Sequence, residues 1–181
     1  MQVSKLTIHM VASLDGFIAS ENGDVSWMNS LDNYENGIEM TEEFIANFLQ
    51  LIDCYLMGFK TYEHALELGW PYGNIPCYVL SRKERKSDKS NVHFISGELK
   101  EIIENQLKSE FKNIWMVGGS QITSELLKQK LADEICITIA PVLLGKGKLF
   151  FDSIGGQNEL HLKDVTAFKN GMVDMTYEIL K

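Results

Sequence analysis

Ile114-Trp115-Met116-Val117-Gly118-Gly119-Ser120-Gln121-Ile122 is the stretch whose reading decides the fold. An apolar run of strand character stops at two glycines, and a segment of helical spacing begins at once. Glycine lacks a Cβ, so a ligand can approach the backbone there, and dihedrals closed to other residues become available. Free N–H groups at the start of the following helix would point at a bound anion, which the helix dipole also favours. A strand–Gly-Gly–helix junction is weakly specific alone, and its weight comes from two more junctions of the same kind.

Met57-Gly58-Phe59-Lys60-Thr61-Tyr62-Glu63 is the second: Gly58 permits close approach, and Thr61 can cap a helix or bond a phosphate. Val79-Leu80-Ser81-Arg82-Lys83 is the third strand end, releasing a hydroxyl and two cations. In a parallel sheet the carboxyl ends of the strands share one edge, so all three junctions can face a common crevice. Three phosphate-friendly strand ends suit a dinucleotide better than a mononucleotide.

The rest of the chain supplies such a sheet. Lys5 to Ala12 reads as a first strand buried on both faces. Thr41 is an N-cap, Glu42 and Glu43 suit the positive end of a helix, and Phe44, Phe48, Leu51 and Ile52 keep helical spacing. Cys54–Gly58, Ile75–Leu80, Val92–Ile95, Ile114–Val117 and Ile135–Ala140 read as strands. Helices are expected from Thr61, from a cap at Ser96 (with Glu104 and Lys108 as an exposed pair) and over 120–130. Strands alternating with helices imply a mainly parallel central sheet flanked by helices. Asn170-Gly171 breaks that rhythm, a two-residue turn signal for an antiparallel C-terminal hairpin, whose second half alternates Val173, Met175, Tyr177 and Ile179 with polar residues. Residues 1–181 are expected to form one α/β domain, since no linker, repeat or low-complexity segment divides them.

Composition excludes several classes. The net charge of −8 argues against nucleic acid, and no apolar run reaches the length needed to cross a bilayer. Met1-Gln2-Val3-Ser4-Lys5 carries no signal-peptide pattern, so a cytoplasmic protein is expected. Cys54, Cys77 and Cys136 lie far apart among apolar residues and are expected as buried free thiols. The four histidines have no paired metal-ligand spacing, so no metal is expected. Between Arg82 and Lys89 lie five basic residues against two acidic ones, a local attraction for a phosphorylated ligand or a solvated loop.

Taken together and in this order, the three junctions resemble the dihydrofolate reductase-like family, and more closely the reductase domain at the C-terminus of the riboflavin-biosynthesis protein RibD. Val11-Ala12-Ser13-Leu14-Asp15-Gly16-Phe17-Ile18-Ala19 resembles that domain's opening strand and loop. Leu131-Ala132-Asp133-Glu134-Ile135 with Ala140-Pro141-Val142-Leu143-Leu144-Gly145-Lys146-Gly147 is close to the RibD form. The resemblance covers nearly the whole chain. It implies NADPH and hydride transfer to a pteridine- or pyrimidine-like substrate, as in a 5-amino-6-(5-phosphoribosylamino)uracil reductase.

The resemblance also implies residue roles. Gly118 and Gly119, often joined by a cis peptide in the family, would meet the cofactor's central phosphates, with Val117, Ser120, Gln121 and Ile122 alongside. Lys60, Thr61, Ser81 and Arg82 match the places that hold the adenosine 2′-phosphate, with Gly58, Phe59 and Leu80 beside them as further cofactor-binding residues, and Ala12 and Ile18 match those lining the nicotinamide pocket. Dihydrofolate reductases place an acid shortly after a tryptophan and bond it to a strand threonine. Trp27 followed five residues later by Asp32 makes Asp32 the candidate proton donor or substrate-ring anchor, with Thr138 as its orienter. Eight residues, Asn33 to Met40, separate Asp32 from the cap at Thr41, and Glu42 and Glu43 are the alternatives. Asp15, Trp27, Phe48 and Trp70 are candidates for substrate contact, though Asp15-Gly16 also suits a turn and Trp70 also suits core packing. The riboflavin-pathway Asp-Asp-Pro segment is replaced by Leu66-Glu67-Leu68-Gly69-Trp70-Pro71-Tyr72-Gly73. A homodimer is expected. The alternatives are a dihydrofolate reductase proper and a module that binds NADPH without turnover.

Overall fold

The computed structural model describes residues 3–181; Met1 and Gln2, part of the segment read above as lacking a signal peptide, lie outside the described residues. The chain opens with β1 (Lys5–Ser13) and β2 (Phe17–Ala19), then a 3-10 turn at Ser26–Met28 and helix α1 (Glu42–Leu49). Next come β3 (Cys54–Gly58), α2 (Phe59–Glu67), β4 (Cys77–Leu80) and β5 (Val92–Ile95). Helix α3 (99–110) leads to β6 (Asn113–Gly118), α4 (Ser120–Lys128) and β7 (Glu134–Ala140). The last strands are β8 (Lys148–Leu149), β9 (Leu160–Ala167) and β10 (Val173–Ile179).

Eight strands form one sheet in the order β5-β4-β3-β6-β1-β7-β10-β9, and β2 pairs with β8 apart from it. The first six are parallel neighbours; β10 runs antiparallel to both β7 and β9. The expected hairpin forms, but its turn is centred on Lys169-Asn170 rather than Asn170-Gly171: Gly171, with φ +77°, closes it as the fourth residue by donating its N–H to the Phe168 carbonyl at 3.0 Å. At α1, Thr41 Oγ1 accepts from the Phe44 N–H at 3.1 Å, so the expected cap forms.

Helices α3 and α4 cover one face of the sheet, where Ile102, Ile103, Leu107, Leu126 and Leu127 pack on Leu6, Ile8, Leu56, Ile114 and Met116. Each such fully buried side chain contributes roughly 1.5–3 kcal/mol, so this face carries most of the apolar stabilisation. The opposite face is covered by α2 over β3 and β4, and by α1 over β6 and β1 through Phe48 alone of its aromatic pair. No residue of α1 is buried. Hence β1 is not buried on both faces as expected: Leu6, Ile8, Met10 and Ala12 are buried, but Thr7, His9 and Val11 on the α1 face are half-buried. That thinly covered face matters below.

Two local expectations also change. Ser96 does not cap α3, whose N-cap is Glu98, and Ile102–Leu107 is π-helical; the wider turn sets Ile102, Ile103 and Leu107 on one buried side. Lys108 does not pair with Glu104 but reaches across to Asp133, where Lys181 joins it. A half-buried carboxylate is the better partner than an exposed one on the same helix.

Candidate functional site

Because β4, β3 and β6 are adjacent and parallel, their carboxyl ends stand level: Gly58 pairs with Leu80, and Met57 with Gly118. The Gly118–Gly119 peptide is cis. Gly118 has φ +143°, and a Cβ there would lie 3.1 Å from Met10 Sδ and 3.8 Å from Thr61 Oγ1. The conformation disfavours a side chain, and Met10 would have to give way to one, so the peptide face is left bare. A Cβ on Gly119 would lie 3.7 Å from the same Thr61 hydroxyl, which therefore overlooks the diglycine from α2. The Gly119 carbonyl starts α4, accepting from the Ile122 and Thr123 amides at 3.1 Å each. The Ser120 and Gln121 amides lie in the first turn, where no helical carbonyl reaches them. Ile122 has a packing role: its Cδ1 would be 2.8 Å from a Cβ on Gly58.

At the β4 end, the Ser81 hydroxyl donates to the Lys83 carbonyl at 2.8 Å and accepts from Arg85 Nε at 3.3 Å. The Arg85 guanidinium lies 3.4 Å from the centroid of the Phe59 ring, a cation–π contact that gives this end a flat cationic wall. Lys60 and Arg82 are exposed at the same edge. Arg85 was not singled out from sequence, since nothing in its spacing distinguishes it from the four other cations of its run.

Ala12 is fully buried in the core, so what it offers a ligand is backbone, and Ile18 packs half-buried beside that core. Asp15 is a clasp: its carboxylate accepts from Ser13 Oγ at 2.6 Å, Leu144 N at 3.1 Å and Gly145 N at 2.7 Å. The Ser13 hydroxyl foremost, with those amides, holds its pKa below the usual carboxylate range. Asp15 thereby ties the first loop to the 141–147 segment.

Asp32 and Thr138 are not brought together. The eight-residue interval is stitched along the hairpin, with Tyr34 N donating to Lys169 O at 2.6 Å and Ile38 N to Ala167 O at 2.9 Å. This carries Asp32 out to an exposed loop beside Gly171, where a side chain on that glycine would collide with its carboxylate. Asp32 and Trp27 line a cleft of about 590 Å³ with Ser30, Leu31, Pro141 and Val142. Trp27 itself packs with Val11, Ala140, Phe168 and Met172, at the carboxyl ends of β1 and β7. Glu42 and Glu43 are exposed in the first turn of α1.

Thr138 instead belongs to a polar group on the thinly covered face. In register, Val11 pairs with Thr138 and Thr138 with Asp174, while His9 pairs with Cys136. The Thr138 hydroxyl donates to Asp174 Oδ1 at 2.6 Å, and the Cys136 thiol donates to Oδ2 at 3.2 Å. His9 Nε2 lies 3.4 Å from Thr138 Oγ1 and 3.9 Å from Asp174 Oδ1. Burial lowers the His9 pKa, against the pull of Asp174, and burial pushes the Cys136 thiol up to about 12. His9, Cys136 and Asp174 present ligand atoms within 4.8 Å of one another, the one grouping among the described residues with metal-ligand chemistry. Sequence reading had His9 as isolated and did not single out Asp174; their meeting depends on the register of three strands.

Phe48 closes this face from above, edge-on to His9 at 5.4 Å, while Trp115 stacks on His9 at 4.5 Å. Trp70 lies elsewhere. It sits in an aromatic row through Tyr72 and Tyr55 to Trp115, and its indole N–H donates to the Gly73 carbonyl at 2.9 Å. Trp70 thus packs, half-buried, against the α2-side cluster.

The chain is 29% identical over 167 residues to the uncharacterized protein YwjB of Bacillus subtilis (strain 168), covering 91% of this chain and 92% of that one. A candidate riboflavin biosynthesis protein from Shewanella sp. PV-4 has a crystal structure matching this fold with a TM-score of 0.83 at 26% identity, over 98% and 99% of the two chains. The Thermotoga maritima diaminohydroxyphosphoribosylaminopyrimidine deaminase/5-amino-6-(5-phosphoribosylamino)uracil reductase shares the fold with a TM-score of 0.66 at 17% identity, over 98% of this chain and 57% of that one. The architecture is thus dihydrofolate reductase-like. A family model described as the RibD C-terminal domain matches residues 4–173, from the start of β1 to the start of β10, and the chain belongs to that family of reductase-like domains.

Proposed function

We propose that this protein is an NADPH-dependent reductase acting on a pteridine- or pyrimidine-like substrate, close in reaction to the 5-amino-6-(5-phosphoribosylamino)uracil reductases. The observation that carries this reading is the pairing of Gly58 with Leu80 and of Met57 with Gly118 at one sheet edge, with a bare cis diglycine leading into α4. The residues fit the cofactor: the cradle at Gly118 and Gly119 is one that a side chain would fill, and Thr61 overlooks it. Gly118, Gly119 and the Ser120 and Gln121 amides would hold the central phosphates. Ser81, Arg82, Arg85 and Lys60 would hold the adenosine 2′-phosphate, and Phe59 the flat wall beside it. Bound NADPH would supply the hydride. The chain's own part is to seat the rings over β1 and β7, where Phe48 and Trp27 exclude water and the Val11–Thr138–Asp174 row lies beneath. Asp32 stands at the rim of the Trp27 cleft.

No helix is long and apolar enough to cross a membrane. We read the protein as a cytoplasmic enzyme and a homodimer. The edge strand β9, with Leu160, Leu162 and Val165 exposed, supports the pairing.

The reading is tested by titrating the purified protein with NADPH and NADH, then supplying pteridines and pyrimidinones and following loss of the reduced cofactor's absorbance. Micromolar NADPH binding with oxidation on at least one such ring is expected. Binding without oxidation across the panel would leave only a cofactor-binding module, and no NADPH binding would refute the reductase reading.

A further inference from the structure

The carboxylate of Asp174 has partners on one side only. Thr138 gives its hydroxyl to Oδ1 at 2.6 Å, and Oδ2 receives nothing stronger than the Cys136 thiol at 3.2 Å, a weak donor. Its neighbour within ion-pair reach among the described residues is His9 at 3.9 Å. Burial keeps that imidazole neutral more readily than charged. The contrast is Glu134 on the same sheet, which is buried but answered by both Lys5 and Lys163. The Asp174 side chain is 23% exposed, so the carboxylate is not sealed from a visitor. A partly desolvated carboxylate with free acceptor capacity calls for N–H donors or a cation.

Its place in the sheet says which visitor. Met10 touches Gly118 across β6 and β1, and Val11, Thr138 and Asp174 form the next row, at the same carboxyl edge as the diglycine. Three strand spacings separate Gly118 from Asp174, about 14 Å across the face, with β1 and β7 lying between. That face is walled by aromatic groups: Phe48 edge-on and Trp115 stacked on His9, with Trp27 at the carboxyl end. The surroundings are apolar and flat on the sides, and acceptor-only at the far end. A planar nitrogen heterocycle with two adjacent N–H donors, an amidine-like edge, matches both features. A metal ion fits less well, because the thiol donates to the carboxylate and is therefore protonated.

We propose that Asp174 is the substrate-anchoring carboxylate of this protein, gripping the amidine-like edge of a 2-amino-substituted pyrimidine or pteridine ring, with Thr138 and His9 as positioning residues. The proposal rests on the reductase reading for the ring that lies beside the cofactor. The anchor itself is a property of this chain's β7–β10 pair.

The probe is 2,4-diaminopteridine, with its binding followed by Trp fluorescence and calorimetry, with and without NADPH. Asp174→Asn keeps the shape of the side chain and is expected to weaken the probe about 10- to 100-fold, as loss of a charge-assisted pair does. NADPH affinity should change less than twofold. Thr138→Ala should weaken the probe several-fold, and Thr138→Ser should restore it, which a merely structural role for the methyl group would not allow. Thermal melting of each variant establishes that it is folded. Probe binding equal in Asp174→Asn and wild type, or no binding to the wild type at millimolar probe, overturns the proposal. If NADPH fails to bind while the probe binds and is lost in Asp174→Asn, the cofactor reading falls and the anchor stands.

Discussion

The two halves of this crevice are made of different material. At the β4-β3-β6 edge the chain offers backbone: a bare diglycine, a helix start, and glycine at the end of β3. Across β1, β7 and β10 it offers side chains that no single segment contains, since His9, Thr138 and Asp174 meet only when three strands align. A backbone site tolerates almost any neighbour but forbids a Cβ, and a side-chain site does the reverse. If the proposed roles hold, recognition at the backbone half can stay constant while the side-chain half varies.

The largest test of this contrast is Gly118→Ala. The added methyl meets Met10 Sδ at 3.1 Å in a conformation that disfavours side chains. Strain of about 1–3 kcal/mol is expected, and NADPH binding should weaken by roughly 100-fold. Probe binding near Asp174 should move far less. Equal losses at both ends would mean that the halves are coupled and the contrast false.

A residue remote from both ends should distinguish neither. Burial alone would raise the Asp133 pKa, but hydrogen bonds from Lys108, Lys181 and the Leu6 amide outweigh it and hold the carboxyl below its usual range. A group whose folded pKa is depressed stabilises above its unfolded value and loses that contribution as pH falls through the folded one. Asp133→Asn should cost about 2 kcal/mol of stability at pH 7, and the gap from wild type should close below about pH 4. Chemical denaturation at several pH values measures this; a gap unchanged into acid would remove the ion cluster from the account.

The smallest effect is expected at the outer rim of the backbone half. Lys60→Ala with Arg82→Ala should weaken NADPH about 10-fold and leave NADH within twofold, because exposed cations act on the extra phosphate alone. Equal losses would refute the 2′-phosphate assignment, and a null result would move it to Arg85 above Phe59.

The same division explains what could be read in advance. The strand ends, the Thr41 cap and the C-terminal hairpin are local, each decided by a few neighbouring residues, and they appear where the sequence puts them, the hairpin's turn shifted by one residue to Lys169-Asn170. Local reading failed where a distant partner intervened. Lys108 turns from Glu104 to Asp133, and Asp32 is carried off by a segment stitched to Lys169 and Ala167. Thr138 is expected beside Asp32, but its hydroxyl donates to Asp174. Spacing could suggest an acid after Trp27, whereas the observed partner is 36 residues beyond Thr138 on an antiparallel neighbour. Arg85 is a smaller case, hidden among equivalent cations until Phe59 is placed beneath it.

Between Thr176 and Tyr177 the pairing of β10 with β9 shifts register, while β10 stays aligned with β7 through Asp174. Insertions or deletions in β9 can thus be absorbed at that irregularity without displacing the residue that faces Thr138. A slide of β10 itself against β7 by one position would instead present Val173 or Met175 to the ring and turn Asp174 away. On the proposed reading, the hairpin is for that reason a place where descendants of one reductase-like domain could drift toward new substrates in single steps, with the diglycine edge inherited unchanged.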